Sequence, residues 1–187
     1  PGESKARSVL RQLMKQKVGS PLRAWVTHFD KNLNGQCSAL EFRAAMKALK
    51  YTGSAEALWE ELDEEKLDEI TLDIIDPESA RLWLSFRKWC GATFDSPRDM
   101  IRQIRRSAGV DPSVEALMVQ DFERGIVACG WDGGSEEELF EALDIEDEGC
   151  VRQRDLRWID VEVRRREMKL SAKQRFMKER HAKAVAK

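Results

Sequence analysis

At 187 residues, 42% of them apolar and 35% charged, the chain has enough apolar side chains for one or two cored domains and is not a disordered polymer. Its longest uncharged apolar runs, such as residues 125–130, fall far short of the about 20 residues that cross a bilayer, and no apolar signal segment opens it. The net charge of −2 is unevenly spread: residues 164–187 carry ten Lys or Arg against two acids, which is +8 and leaves residues 1–163 at −10.

The predicted class is all-α, because no stretch keeps a period-2 alternation long enough for more than short pairings between loops. The first element is an amphipathic basic helix within residues 1–19, where Val9, Leu10, Leu13 and Met14 form an apolar stripe among Arg7, Arg11, Lys15 and Lys17. That helix either caps the body or offers its stripe to a partner or a membrane surface. Further helix starts are legible where Ser or Asp precedes Pro, joining an N-cap oxygen to a residue already set to helical φ. Ser20-Pro21, Asp76-Pro77, Ser96-Pro97 and Asp111-Pro112 all fit, as does Ser54. Ser38 with Glu41, and Ser135 with Glu138, have the spacing of capping boxes. Residues 41–63 and 121–144 repeat one another: each opens on an acid and Phe, runs through an apolar helix and a Gly-Ser helix start, and ends on Leu-Asp. Two related halves, 20–95 and 96–163, are therefore expected, each with room for two helix-loop-helix units.

Residues 30–41 read DKNLNGQCSALE. A calcium loop needs oxygens at its positions 1, 3, 5, 7, 9 and 12 and a Gly at 6 for the sharp turn. Asp30, Asn32 and Asn34 supply side-chain oxygens, Gln36 a backbone carbonyl, Ser38 a direct or water-mediated contact and Glu41 a bidentate carboxylate, with Gly35 at the turn. Leu22, Val26 and Phe29 stripe the entering helix, and Phe42, Ala45, Met46 and Leu49 the exiting one.

On these residues the sequence resembles the EF-hand superfamily over roughly 20–163, and its two-half layout is similar to calmodulin and troponin C. Leu33, at loop position 4, departs from the family pattern without removing a ligand. The resemblance implies Ca²⁺ as cofactor and a partner loop at 63–74, DEEKLDEITLDI. That loop keeps Asp63 and Glu65 but places Asp68 at the Gly position and Ile74 where the bidentate acid belongs, so it is expected to be silent. In the second half, 144–155 offers Asp144, Glu146, Glu148, the Cys150 carbonyl and Asp155, a weaker loop suited at most to weak Ca²⁺ or Mg²⁺ binding. Asp155 reaches less far than Glu, and Arg152 sits at position 9. Its partner, 110–121, lacks ligands at positions 1, 3 and 5. The resemblance also implies short two-stranded bridges with Ile70 opposite Cys37 and Leu117 opposite Val151.

After Pro77, Trp83, Phe86, Trp89 and Cys90 recur at helical spacing, as a core face or as a surface that docks a target helix. The six Met are scattered, which favours one dedicated protein partner over a promiscuous groove. The basic tail from Arg164 spaces Met168, Ala172 and Phe176 at four residues, followed by Ala182 and Val185. It is either a solvated extension of the last helix or a contact for an anionic protein, a filament or a multi-subunit assembly; nucleic acid ranks lower, given one aromatic and an acidic body. Cys37, Cys90, Cys129 and Cys150 show no C-x-x-C spacing, and His28 and His181 are the only histidines. Free thiols in a reducing, cytoplasmic setting are expected rather than a zinc site or disulfides. No phosphate-binding Gly-rich motif and no G-x-S-x-G appears, so no enzyme is expected. The first residue is Pro1 rather than Met, which leaves open a longer parent polypeptide. The functional expectation is a Ca²⁺-responsive regulatory or adaptor subunit, with a structural module of a larger assembly as the alternative.

Overall fold

The computed structural model describes residues 4–185, with side chains through Lys178; the tail positions Ala182, Val185 and Lys187 lie outside the described side chains. It is mostly helical. The elements run α1 (Lys5–Val18), α2 (Pro21–Ala24) with a π turn Trp25–Phe29, β1 (Cys37–Ser38), α3 (Ala39–Ala48), α4 (Ala55–Leu62), β2 (Glu69–Ile70), α5 (Leu72–Ile75) and α6 (Pro77–Thr93). They continue with α7 (Pro97–Ser107), β3 (Ala116–Met118), α8 (Val119–Ala128), α9 (Glu136–Leu143), β4 (Cys150–Arg152), a 3-10 turn Gln153–Leu156 and α10 (Trp158–Val185).

Most of the helix starts follow from local chemistry. The side chains of Ser20, Ser54, Asp76 and Ser96 each accept an amide N–H of the first turn that follows them, and Ser38 and Glu41 form a reciprocal capping box. Each such cap stabilises its helix by about 1 kcal/mol. Two expected starts differ. Asp111 caps only the N–H of Ser113, and the chain runs through a turn and β3 before α8 opens at Val119, with the Asp111 carbonyl held by Arg105. Ser135 sits at φ 58 with no capping bond. The Trp131 indole there folds back to donate to the Gly134 carbonyl at 3.0 Å, so the chain enters α9 from the left-handed region.

The strands form two antiparallel pairs, with Cys37 opposite Ile70 and Leu117 opposite Val151. α1 rests on α2, α4 and α5 and buries Ala6, Leu10 and Met14, so its apolar stripe is spent on the body. The two halves share one core. Phe86 on α6 meets Trp131, Trp158 and Phe122 with ring centroids 5.3, 5.9 and 6.3 Å away, and Trp83 meets Trp158 edge-on at 5.1 Å. The aromatic stripe of α6 is thus interior packing rather than a docking face. α10 crosses α6 so closely that a Cβ on Gly91 would lie 2.8 Å from Cβ of Glu162. No Gly or Pro interrupts residues 158–185, and α10 passes position 164 unbroken instead of starting a separate tail there.

Because Phe86 is fully buried between both halves, Phe86→Ala is expected to lower the unfolding free energy by about 3–5 kcal/mol. Gly91→Ala, which forces α6 and α10 apart, should cost about 1–3 kcal/mol. Urea denaturation followed by tryptophan emission measures both.

Candidate metal centre

Loop 30–41 leaves the π turn at Asp30 and re-enters helix at α3, with the Ser38 cap fixing its far end. Asp30 is only 2% exposed, and both its carboxylate oxygens accept the Gly35 N–H at 3.1 Å. Asn32 Oδ1 accepts from the Asn34 N–H at 3.0 Å, and Asn34 Oδ1 from the Gln36 N–H at 2.8 Å. Glu41 is held at both ends: Oε1 accepts from the Asn32 amide at 2.7 Å, and Oε2 from the Ser38 hydroxyl and N–H at 2.8 and 3.0 Å. The Gln36 side chain turns away to donate to Glu69 Oε1 at 2.6 Å. The sequence-predicted set is therefore gathered around one turn, with Asn32, Ser38 and Glu41 joined directly.

Three loops share one backbone design. Position 4 has positive φ at Leu33 (65°), Lys66 (52°) and Asp147 (57°), and position 6 at Gly35 (88°), Asp68 (57°) and Gly149 (71°). At position 1, Asp63 accepts the N–H groups of Leu67 and Asp68 at 2.9 and 3.0 Å, and Asp144 those of Glu148 and Gly149 at 3.0 and 2.8 Å, as Asp30 accepts that of Gly35. A left-handed Leu is a costly choice, offset here by packing of its side chain against the core.

What separates the loops is where cations already sit. Arg87, 4% exposed on α6, puts Nη1 3.8 Å from Asp30 Oδ2, donates from Nη2 to the Leu33 carbonyl at 3.3 Å, and pairs with Glu162 of α10 at 2.7 Å. Its guanidinium also lies over the rings of Trp83 and Trp158, 5.7 and 6.0 Å from their centroids. Arg105, 7% exposed, reaches into loop 110–121 and donates to the carbonyls of Asp111 and Ala116 while pairing with Asp121 at 3.2 Å. In loop 144–155, Glu148 is bound by Arg152 and Arg154, which holds its carboxyl below the usual range, and Asp155 accepts the Arg152 N–H at 2.8 Å. Arg23 of α2 adds a contact to Asp147 at 3.0 Å, while Glu146 stands exposed. In loop 63–74, Ile74 packs against the core where an acid would be needed.

Among the described residues no group of three or more His, Cys, Asp or Glu side chains converges to hold a metal ion. Loop 30–41 depends instead on two acids with amide, hydroxyl and carbonyl oxygens, the donor set of a hard divalent cation. The oxygens of Asp30, Asn32, Asn34, Gln36, Ser38 and Glu41 fit such an ion, with the Asn32 amide placed so that it yields Glu41 by rotating. Asp144, Glu146, Glu148, Cys150 and Asp155 fit it poorly, since the loop's own arginines neutralise Glu148. All four cysteines are free, and burial pushes the Cys37 thiol up to about 12. Arg87 and Arg105 read in the sequence like ordinary surface charges, and only the apolar residues flanking each on its helix distinguish them. Compared with protein-family models, with curated proteins and with solved structures, the chain matches none.

Burial pushes the Asp30 carboxyl up to about 6 from 3.8, outweighing the Gly35 N–H and the Arg87 charge. The folded state then binds the proton more tightly, so this group's contribution to stability is full below about pH 4 and is lost as pH rises to about 6. Asp30→Asn should remove that falling component from urea stability measured against pH. Removing the buried cation alone, as Arg87→Ala, should cost about 3–5 kcal/mol, and Arg87→Met/Glu162→Leu, which removes the pair together, much less.

Proposed function

We propose that the protein is a calcium-binding EF-hand subunit with one working loop, residues 30–41, acting as a Ca²⁺-responsive regulatory or adaptor protein. The observation that carries this reading is the gathering of Asp30, Asn32, Ser38 and Glu41 around the left-handed Gly35 turn, within a loop whose partner strand sets Cys37 opposite Ile70. With two acidic ligands and a guanidinium 3.8 Å from one of them, the loop binds Ca²⁺ at about 10⁻⁵ M or weaker. The ion competes with Arg87 for Asp30, and release of Arg87 loosens Glu162 and with it α10, the element that leaves the body. Protein partners, including a filament or a multi-subunit assembly, belong to this reading.

A structural module with silent loops is the second reading. What favours it is that Arg105 already pairs with Asp121, and Arg152 and Arg154 with Glu148, in the loops of the second half.

Calorimetric titration of Ca²⁺ into metal-free protein decides between them, with tryptophan emission followed in parallel because Trp25 stacks on Phe29 beside the loop at 6.1 Å. One ion is expected, with Glu41→Gln weakening its affinity by about tenfold or more and Asp144→Asn leaving it unchanged. A Ca²⁺-dependent gain in binding of a hydrophobic dye marks the regulator. No uptake of Ca²⁺ at millimolar concentration overturns the reading and leaves the structural module.

A further inference from the structure

A groove of about 820 Å³ lies between α6 and α10 and is bordered by residues 34–36 of loop 30–41. Its apolar lining is Leu84, Ala92 and Leu170, and Leu84 and Leu170 are 66% and 53% exposed. Its walls carry Lys88, Arg165, Arg166 and Lys169. Among the lining side chains the one acid is Glu162, already paired with Arg87 and Arg165. Arg165 and Arg166 are anchored, the first to the Asn34 carbonyl and the second to the Gly91 carbonyl and Asp95. Lys88 and Lys169 make no ion pair with any described residue.

Of the four cations around these leucines, Arg165, Arg166 and Lys169 come from the basic segment 164–187 and Lys88 from α6. A groove of this composition complements a ligand that is apolar on one side and acidic on its flanks. Nucleic acid is a poor match, since no aromatic ring lines the groove to stack a base and the surrounding body repels polyphosphate. A helix or extended segment with Leu-type anchors and Glu or Asp beside them satisfies both the apolar lining and the walls.

We propose that this groove is the docking site for an acidic amphipathic segment of a protein partner, its apolar anchors on Leu84 and Leu170 and its carboxylates on Lys88, Lys169 and the two arginines. It supplies the partner chemistry for the adaptor reading above and rests on that part of it, not on Ca²⁺ binding. Arg87 and residues 34–36 line the same groove, so a partner seated there touches the loop that would hold the ion.

The test is fluorescence anisotropy of the full chain with a short labelled peptide that places Leu at helical i, i+3 and i+4 positions among Glu, run in chelator and in Ca²⁺. Binding that weakens about tenfold in Lys88→Glu/Lys169→Glu and severalfold in Leu84→Gln, while Lys17→Glu/Lys47→Glu is unaffected, supports the proposal. Lys88→Ala/Lys169→Ala serves as the milder pair if the charge reversal perturbs folding, as read by circular dichroism. Binding in neither condition overturns it, as does equal binding of a Glu peptide lacking Leu or tighter binding of a single-stranded oligonucleotide. Self-association abolished by the lysine variants would assign the groove to a second copy and overturn it too. Because the chelator arm needs no metal, a failed groove and a failed calcium loop give different results: the first loses the peptide, the second loses only the Ca²⁺ heat.

Discussion

A guanidinium almost shut off from water is the constraint around which much of this molecule is arranged. Taking a charge out of water costs several kcal/mol unless every face of it is met. For Arg87 the faces are met by parts far apart in sequence: Asp30 and the Leu33 carbonyl from the first loop, Glu162 from α10, and the rings of Trp83 and Trp158. None of these contacts alone would hold it. Together they tie α6, α10 and the first loop to one buried charge, beside the point where α10 crosses α6 at Gly91.

The same physics sorts the four loops. Loop 110–121 lacks ligands at positions 1, 3 and 5, and Arg105 spans it from the Asp111 and Ala116 carbonyls to Asp121, giving the loop an internal cation of its own. Loop 144–155 is richer in acids, but Arg152 and Arg154 lie close enough to Glu148 to neutralise it locally. Loop 63–74 keeps the position-1 turn through Asp63 and replaces its last acid with Ile74, which adds to the core. In loop 30–41 the cation approaches from outside, on the Asp30 and Leu33 side, and leaves Asn32, Ser38 and Glu41 facing one another. Loop 144–155 holds more acids than loop 30–41, but its own arginines sit among them.

Legibility in the sequence followed the range of the interactions. Helix starts at Ser20, Ser38, Ser54, Asp76 and Ser96 depend on bonds within three residues and could be read directly. The pairings of Cys37 with Ile70 and Leu117 with Val151 are expectations of the loop resemblance, which carries long-range information in local form. Asp111-Pro112 and Ser135 differ because nearby side chains intervene: the Arg105 guanidinium takes the Asp111 carbonyl six residues on, and the Trp131 ring folds back onto the Gly134 carbonyl. Arg87, Arg105 and Arg154 were invisible for a related reason: a charge in a helix has the same local pattern whether its partner is water or a carboxylate many residues away. The open groove between α6 and α10 was hidden too, since Leu84 and Leu170 lie on separate helices.

The placement of Arg87 also determines what kind of coupling the fold can support. A cation in loop 30–41 and a ligand in the groove would both act on the same few groups: Asp30 and residues 34–36 on one side, Arg87, Glu162 and Arg165 on the other. An ion that draws Asp30 away from Arg87 leaves that charge underpaired and facing the groove, where an acidic partner can take it up. The free energy linking the two events is a property of the pair, so a partner that gains affinity from the ion must raise the ion's affinity by the same factor. A loop with only two acids can then be weak in isolation and still respond within an assembly, because the partner's carboxylates relieve the guanidinium that holds it down.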